Sequence, residues 1–260
     1  MIRGNIKDPI RGGLKSEGSP STPTPTSIPG VLFDGTHDHL QSESSFDIVS
    51  SKLLARLSIR VDGGDDASRI IVSGLSNTIL IGLNAENRIQ ITISEDPDLG
   101  PSLIAESAST YEAGPNWLNI LIAVDTNAPA GSKIIQLYVN DEDDLGIVDD
   151  DGAAFEIGNP IKFNIGSYDF DANKWDGCMA GLWIGLDQYL DISVTGNRRE
   201  FIDVDGKPVV NLGASGQVPT GTSPTVYLNN PYTTFFQNKG TSGNFRIFGA
   251  LTEADTGPND

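Results

Sequence analysis

Trp175–Leu186 reads WDGCMAGLWIGL and holds two of the chain's three tryptophans, its single cysteine and one of its two methionines. No charged side chain falls between Asp176 and Asp187. An uncharged run of this length predicts a strand buried on both faces. Strict alternation puts Met179, Gly181, Trp183 and Gly185 on one face and Cys178, Ala180, Leu182 and Ile184 on the other. The glycines leave room for a neighbouring backbone or ring to lie close, as in the inner layer of a sandwich.

The sequence before this stretch supplies strands that can bury it. Leu53, Ala55, Leu57, Ile59 and Val61 alternate with polar residues, and a Gly-Gly-Asp-Asp turn leads to Ile70–Val72. A strand around Ile79–Leu83, a turn at Asn84–Asn87 and a strand with Ile89, Ile91 and Ile93 on one face continue a meander with hairpin-length connections. Leu32 and Phe33 precede an Asp34-Gly35 turn, and Phe46, Ile48 and Val49 follow it. Trp117–Asp125 reads as a further strand with Leu118, Ile120, Ile122 and Val124 on one face.

The chain has 260 residues, with 29 glycines and 15 prolines, which favours short strands and turns and allows a core without disulfide staples. The lone Cys178 has no intrachain partner and sits among apolar neighbours, so it reads as a small buried hydrophobe made in a reducing cytoplasm. A formal charge of −18 excludes sequence-independent binding to nucleic acid, which needs clustered Lys and Arg, and disfavours anionic membrane surfaces. No apolar run reaches the roughly 20 residues of a spanning helix, so membrane insertion is not expected. The segment MIRGNIKDPIRGG has no apolar core of a signal peptide.

Residues 1–30 differ from the rest. Arg3, Lys7, Arg11 and Lys15 against Asp8 and Glu17 give this arm a charge of +2, which leaves −20 on the remainder. SPSTPTPTSIPG follows as an extended, polyproline-like spacer. The four basic residues are the candidate anchor to a partner subunit.

Five elements in order carry a family resemblance: the Trp117 strand, Val124-Asp125, Leu137-Tyr138-Val139-Asn140, Phe155-Glu156-Ile157-Gly158, and WDGCMAGLWI. This order resembles the laminin-G-like, concanavalin A-like jelly-roll domains. The resemblance spans about residues 111–190 and implies an all-β, antiparallel β-sandwich over 31–190. Two departures stand out. Asn140 is followed by Asp141, Glu142, Asp143 and Asp144 instead of glycine, which reads as a long acidic hairpin, and the closing strand opens on Trp175-Asp176-Gly177.

Beyond Leu190 a Gly- and Thr-rich extension covers 191–260, with apolar pieces at Val226–Leu228, Thr234–Phe236 and Phe245–Leu251. These pieces can return strands to the sandwich, wrap a neighbouring subunit or contact the target of the arm. The style of VPTGTSPTVYLNNP resembles phage-encoded laminin-G-like virion proteins. That resemblance implies a non-enzymatic structural subunit of a virion (decoration, collar, fibre or spike), docked through its arm beside other virion proteins and copies of itself. The alternative is a carbohydrate-binding adhesin for host glycans, with calcium as a conceivable helper.

The candidate sites are few. Asp141, Asp143, Asp144, Asp149 and Asp151 form a carboxylate cluster that reads either as a calcium site or as a plain solvated hairpin, since no calcium-loop pattern is present. Trp175 reads either as a sugar-stacking platform or as core, whereas Trp117 and Trp183 read as core. Paired carboxylates at alternate strand positions, as glycoside hydrolysis needs, are missing, and Glu200, Asp203 and Asp205 come nearest in a turn. His37 and His39 read as surface-loop histidines, too few for zinc.

Overall fold

The computed structural model describes residues 27–46, 49–74, 79–94, 100–127, 133–150, 152, 156–157, 162–168 and 172–260. Two antiparallel sheets face each other. Sheet A runs in spatial order through Glu142–Asp143 (β10), Ile134–Val139 (β9), Leu118–Asp125 (β8), Lys52–Val61 (β3), Asp176–Leu186 (β13), Val31–Asp34 (β1) and Thr252–Glu253 (β16). Sheet B runs through Leu145–Asp150 (β11), Leu103–Ser107 (β7), Ile89–Ile93 (β6), Ile79–Leu83 (β5), Arg69–Gly74 (β4), Phe163–Ile165 (β12), His39–Ser42 (β2) and Phe245–Phe248 (β15).

The opening stretch is the spine of sheet A. β3 runs along one side of β13, while β1 pairs with its first half and Val226–Leu228 (β14) with its second. A bulge between Ala180 and Trp183 corrects the strict alternation read from the sequence. Gly181 there has φ +53°, and Arg56 Nη1 donates to its carbonyl at 2.9 Å. The extra residue inverts the facing: Met179, Leu182, Ile184 and Leu186 all enter the inter-sheet core, and Trp183 points away from it.

The core between the sheets holds the inward set of each strand. Leu53, Ala55, Leu57, Ile59 and Val61 come from β3, and Ile89, Ile91 and Ile93 from β6. Each such buried aliphatic side chain contributes about 1.5–3 kcal/mol of transfer free energy. Trp175 lies in this core with no exposed surface.

The outer face of sheet A is covered as well. Ile192, Phe201, Ile202, Leu212 and Tyr227 of the C-terminal extension pack on Leu54, Leu121, Ala123, Tyr138 and Trp183. Trp183 Nε1 donates to Gly216 O at 2.7 Å, and its ring meets Phe201 edge-on with centroids 5.0 Å apart. That cover explains why β13 carries no charge after Asp176: both of its faces are interior.

The acidic segment after Asn140 is two structures instead of one long hairpin. Asn140 and Asp141, at φ +50° and +72°, make a two-residue turn joining β9 to β10. At Asp144 the chain leaves sheet A, and β11 then pairs with β7 at the edge of sheet B.

Candidate functional site

Among the described residues, sheet B differs from sheet A in leaving part of its outer face open, over β5 and β6. Ile79 and Ile81 of β5 point inward, so Leu80 and Gly82 point out, and the alternation of β6 turns Gln90 and Thr92 out beside them. A bulge in β4 between Ile70 and Val72 sets Ile70 on the same side. The result is a groove of about 290 Å³ with Leu80, Gly82 and Ile70 as its floor. Its size falls at the lower end of the roughly 300–1,000 Å³ of small-molecule sites.

The rim comes from loops. Gly100 and Pro101 close one side before β7, and Tyr168 and Asn173 rise from the turn after β12. Mutual backbone bonds of 2.9 and 3.1 Å tie Tyr168 to Ala172, and Ile70 N donates to Asn173 O at 2.9 Å. The floor requires glycine at one point: a Cβ on Gly82 would lie 2.2 Å from the Arg69 carbonyl oxygen. Gln90 Nε2 and Asn84 Nδ2 both donate to Glu106 Oε1, at 2.8 and 3.2 Å, which fixes the Gln90 amide.

The lining decides what the groove can do. Hydroxyl and amide groups of Ser68, Gln90, Thr92, Ser94, Tyr168 and Asn173 stand around an apolar floor. No carboxylate, histidine or thiol lines it among the described residues. Such a surface can exchange hydrogen bonds with a neutral ligand and cover an apolar face of it.

The residues singled out in the sequence are placed elsewhere. Arg3, Lys7, Arg11, Lys15 and Asp151 lie outside the described residues. The remaining members of the carboxylate cluster are dispersed. Asp141 binds Arg198 Nε at 2.7 Å and Arg199 Nη2 at 2.6 Å. Asp144 is buried and accepts bonds from Tyr111 Oη at 2.6 Å and from Ser109 N and Oγ at 3.0 and 2.8 Å. Asp143 and Asp149 are exposed on different sheets. Among the described residues no three His, Cys, Asp or Glu side chains form a group that could hold a metal ion.

Trp175 is core and presents no ring to a ligand. Trp117, read as core, is only half-buried, with Nε1 donating to Thr256 Oγ1 at 3.1 Å. His37 is exposed, but His39 is 4% exposed and stacks on Phe248 at 4.5 Å, with Lys174 Nζ 2.8 Å from its Nδ1. Its strand, β2, has no apolar alternation to announce it. Cys178 is buried, and burial, reinforced by nearby Asp62, pushes its thiol up to about 12. Asp34 is the reverse case: burial works to raise its carboxyl, and bonds from the backbone N–H groups of His37, Asp38 and Thr36 outweigh it and hold it well below the usual carboxylate range.

Similarity to solved structures adds to this geometry. A native heptameric SAP-like pentraxin from Limulus polyphemus superposes with a TM-score of 0.53 at 12% identity, over 88% of this chain and 95% of that one. A putative carbohydrate-binding protein from Bacteroides ovatus gives 0.56 at 13% identity, over 89% of this chain. The fold is a concanavalin A-like jelly roll. The jelly roll spans 61% of the length of the Bacteroides chain. A pair of mouse laminin α1 domains, LG4-5, matches at a TM-score of 0.42 and 14% identity over 66% of this chain and 47% of that one. No protein-family model and no curated protein matches the sequence. Among the described residues of this jelly roll, no helix is long and apolar enough to cross a membrane.

Proposed function

We propose that the protein is a non-enzymatic carbohydrate-binding module that holds a neutral glycan in the groove on the outer face of sheet B. The observation that carries this reading is the lining itself: six hydroxyl or amide side chains around an apolar floor, with no carboxylate, histidine or thiol among the described residues. A pyranose ring has an apolar C–H face and a rim of hydroxyls, which matches that division. A neutral ligand is preferred to a sialylated or sulfated one for two reasons. Among the described residues the lining offers no Lys or Arg, and the whole chain carries −18. The likeness to a protein described as carbohydrate-binding supports the reading at the level of fold only. A glycan array probed with the purified protein tests it: binding to neutral glycans is expected, and a preference for acidic glycans contradicts it.

A second reading, a displayed subunit of a virion, is favoured by where the arm enters the body. Ile28 is buried beside Gly181 of β13 and Gly257, its N–H donates to Asn259 Oδ1 at 3.2 Å, and Gly30 O accepts from Ala254 N at 3.1 Å. The base of the arm is thus fixed on the sheet A side, and the groove opens from sheet B. An arm holding a particle on one side and a groove facing host glycans on the other make one consistent device, in which many identical copies act together. Mass spectrometry of purified particles from the source of the gene tests this reading, and absence of the chain from them contradicts it.

A further inference from the structure

A second cleft lies at one end of the molecule, where β8 and the β9–β10 turn meet the last residues of the chain. It measures about 530 Å³, larger than the groove on sheet B, and Trp117 forms one wall. Trp175 and Trp183 are each 0% exposed, so Trp117 is the one tryptophan of the three with a half-open ring. Its edge is pinned: Nε1 donates to Thr256 Oγ1 at 3.1 Å, and a Cβ on Gly30 would lie 3.0 Å from the benzo ring.

The other walls are set in advance. Asn119 Nδ2 donates to Gly206 O at 3.0 Å, which ties the turn carrying Asp205 to the sandwich. Lys207 Nζ donates to Asn259 O at 2.8 Å, which ties the same turn to the tail. The Lys207 ammonium is oriented by carbonyl oxygens and keeps its charge, Gly257 N donates to Asp260 Oδ2 at 2.6 Å, and the exposed carboxylates of Asp205 and Asp260 outweigh the single lysine in the lining of the cleft. A fixed aromatic wall beside carboxylates suits a ring with an apolar face and a cationic or donor-rich edge, and a wall ordered before binding loses little entropy on binding.

We propose that this cleft is a second saccharide site, and that it takes an amino sugar whose ring packs on Trp117 and whose ammonium group faces Asp205 and Asp260. The proposal does not rest on the groove. It assigns the two sites to different chemistry, neutral glycan on sheet B and amine-bearing sugar at the end.

Tryptophan emission reads the cleft selectively, because the other two indoles are sealed. Titration of the full chain with a glucosamine disaccharide is expected to give a saturable shift in emission. Its N-acetylated form and cellobiose, which lack the charge, should bind more weakly by about tenfold or more, the equivalent of one charge-assisted contact. Asp205→Asn should erase that preference, with melting temperature confirming that the variant folds. Thr92→Arg, which fills the sheet B groove, should leave the titration unchanged. No saturable shift with any of the three sugars overturns the proposal. So does equal binding of all three by the wild type, or a shift that Thr92→Arg abolishes, which would place the sugar in the groove.

Discussion

The outer faces of the two sheets start from the same sequence device and end differently. On sheet A the outward residues Leu54, Leu121, Ala123 and Trp183 are apolar, and the extension seals them under Phe201, Leu212 and Tyr227. On sheet B the outward residues Gln90 and Thr92 are polar, and a groove stands over them. The sealed face belongs to stability. The open face can keep polar groups without partners because water or a ligand satisfies them. The proposed site therefore lies where the described residues leave a sheet uncovered.

The comparison is broken most severely by removing the seal. Trp183→Ala deletes a fully buried ring, its contact with Phe201 and its bond to Gly216 O, and should cost about 3–5 kcal/mol in denaturant unfolding. A loss below about 1 kcal/mol would mean that the extension packs only loosely on sheet A.

The open face should respond in the opposite way. Thr92→Arg places a long side chain in the groove and should abolish glycan binding with stability changed by no more than about 0.5 kcal/mol. Gln90→Ala removes an oriented amide and should weaken binding by about tenfold, the scale of one or two hydrogen bonds. Calorimetric titration against a glycan found on the array, beside thermal melting of each variant, checks both.

The sequence displayed these regions unequally. The inward residues of β3, β5 and β6 were legible because Ile and Leu at alternate positions have one arrangement that buries them all. WDGCMAGLWIGL showed that β13 is interior on both faces. It did not show which residue faces which layer, since a single bulge at Gly181 inverts the order after it. The groove was not legible at all. Gln90, Thr92 and Ser94 alternate with the isoleucines of β6 as any solvated strand face does, and Tyr168 and Asn173 arrive from some 80 residues away, so no local spacing marks a groove. The carboxylates after Asn140 were conspicuous in the sequence, yet Asp141 and Asp144 are consumed by the turn, by Arg198 and Arg199, and by the crossing between sheets.

A smaller effect sharpens the role of that turn. The Asp141 carboxyl lies below its ordinary value chiefly because Arg199 donates to it; burial opposes this, and Arg198 adds to it. A depressed folded-state value means that the stabilisation is complete above the ordinary carboxylate range and is lost as pH falls through the lowered value. Asp141→Asn should therefore melt below wild type at neutral pH, with the gap closing in acid. A gap that stays constant with pH would remove the ion pairs from the account.

The smallest expected effect is at Cys178. Buried on β13, with its thiol pushed up to about 12, it should resist alkylation at neutral pH in the folded protein and react promptly in denaturant. Rapid alkylation of the native chain would show that the cover over this part of sheet A opens.

The claim that the open face of sheet B is the binding surface meets its most direct test in one paired titration. Wild type and Thr92→Arg are titrated by calorimetry with the same neutral oligosaccharide taken from the array. Saturable heat for the wild type and none for the variant, at equal melting temperature, is the predicted result. Equal heat from both proteins would contradict the account and move the glycan off this face.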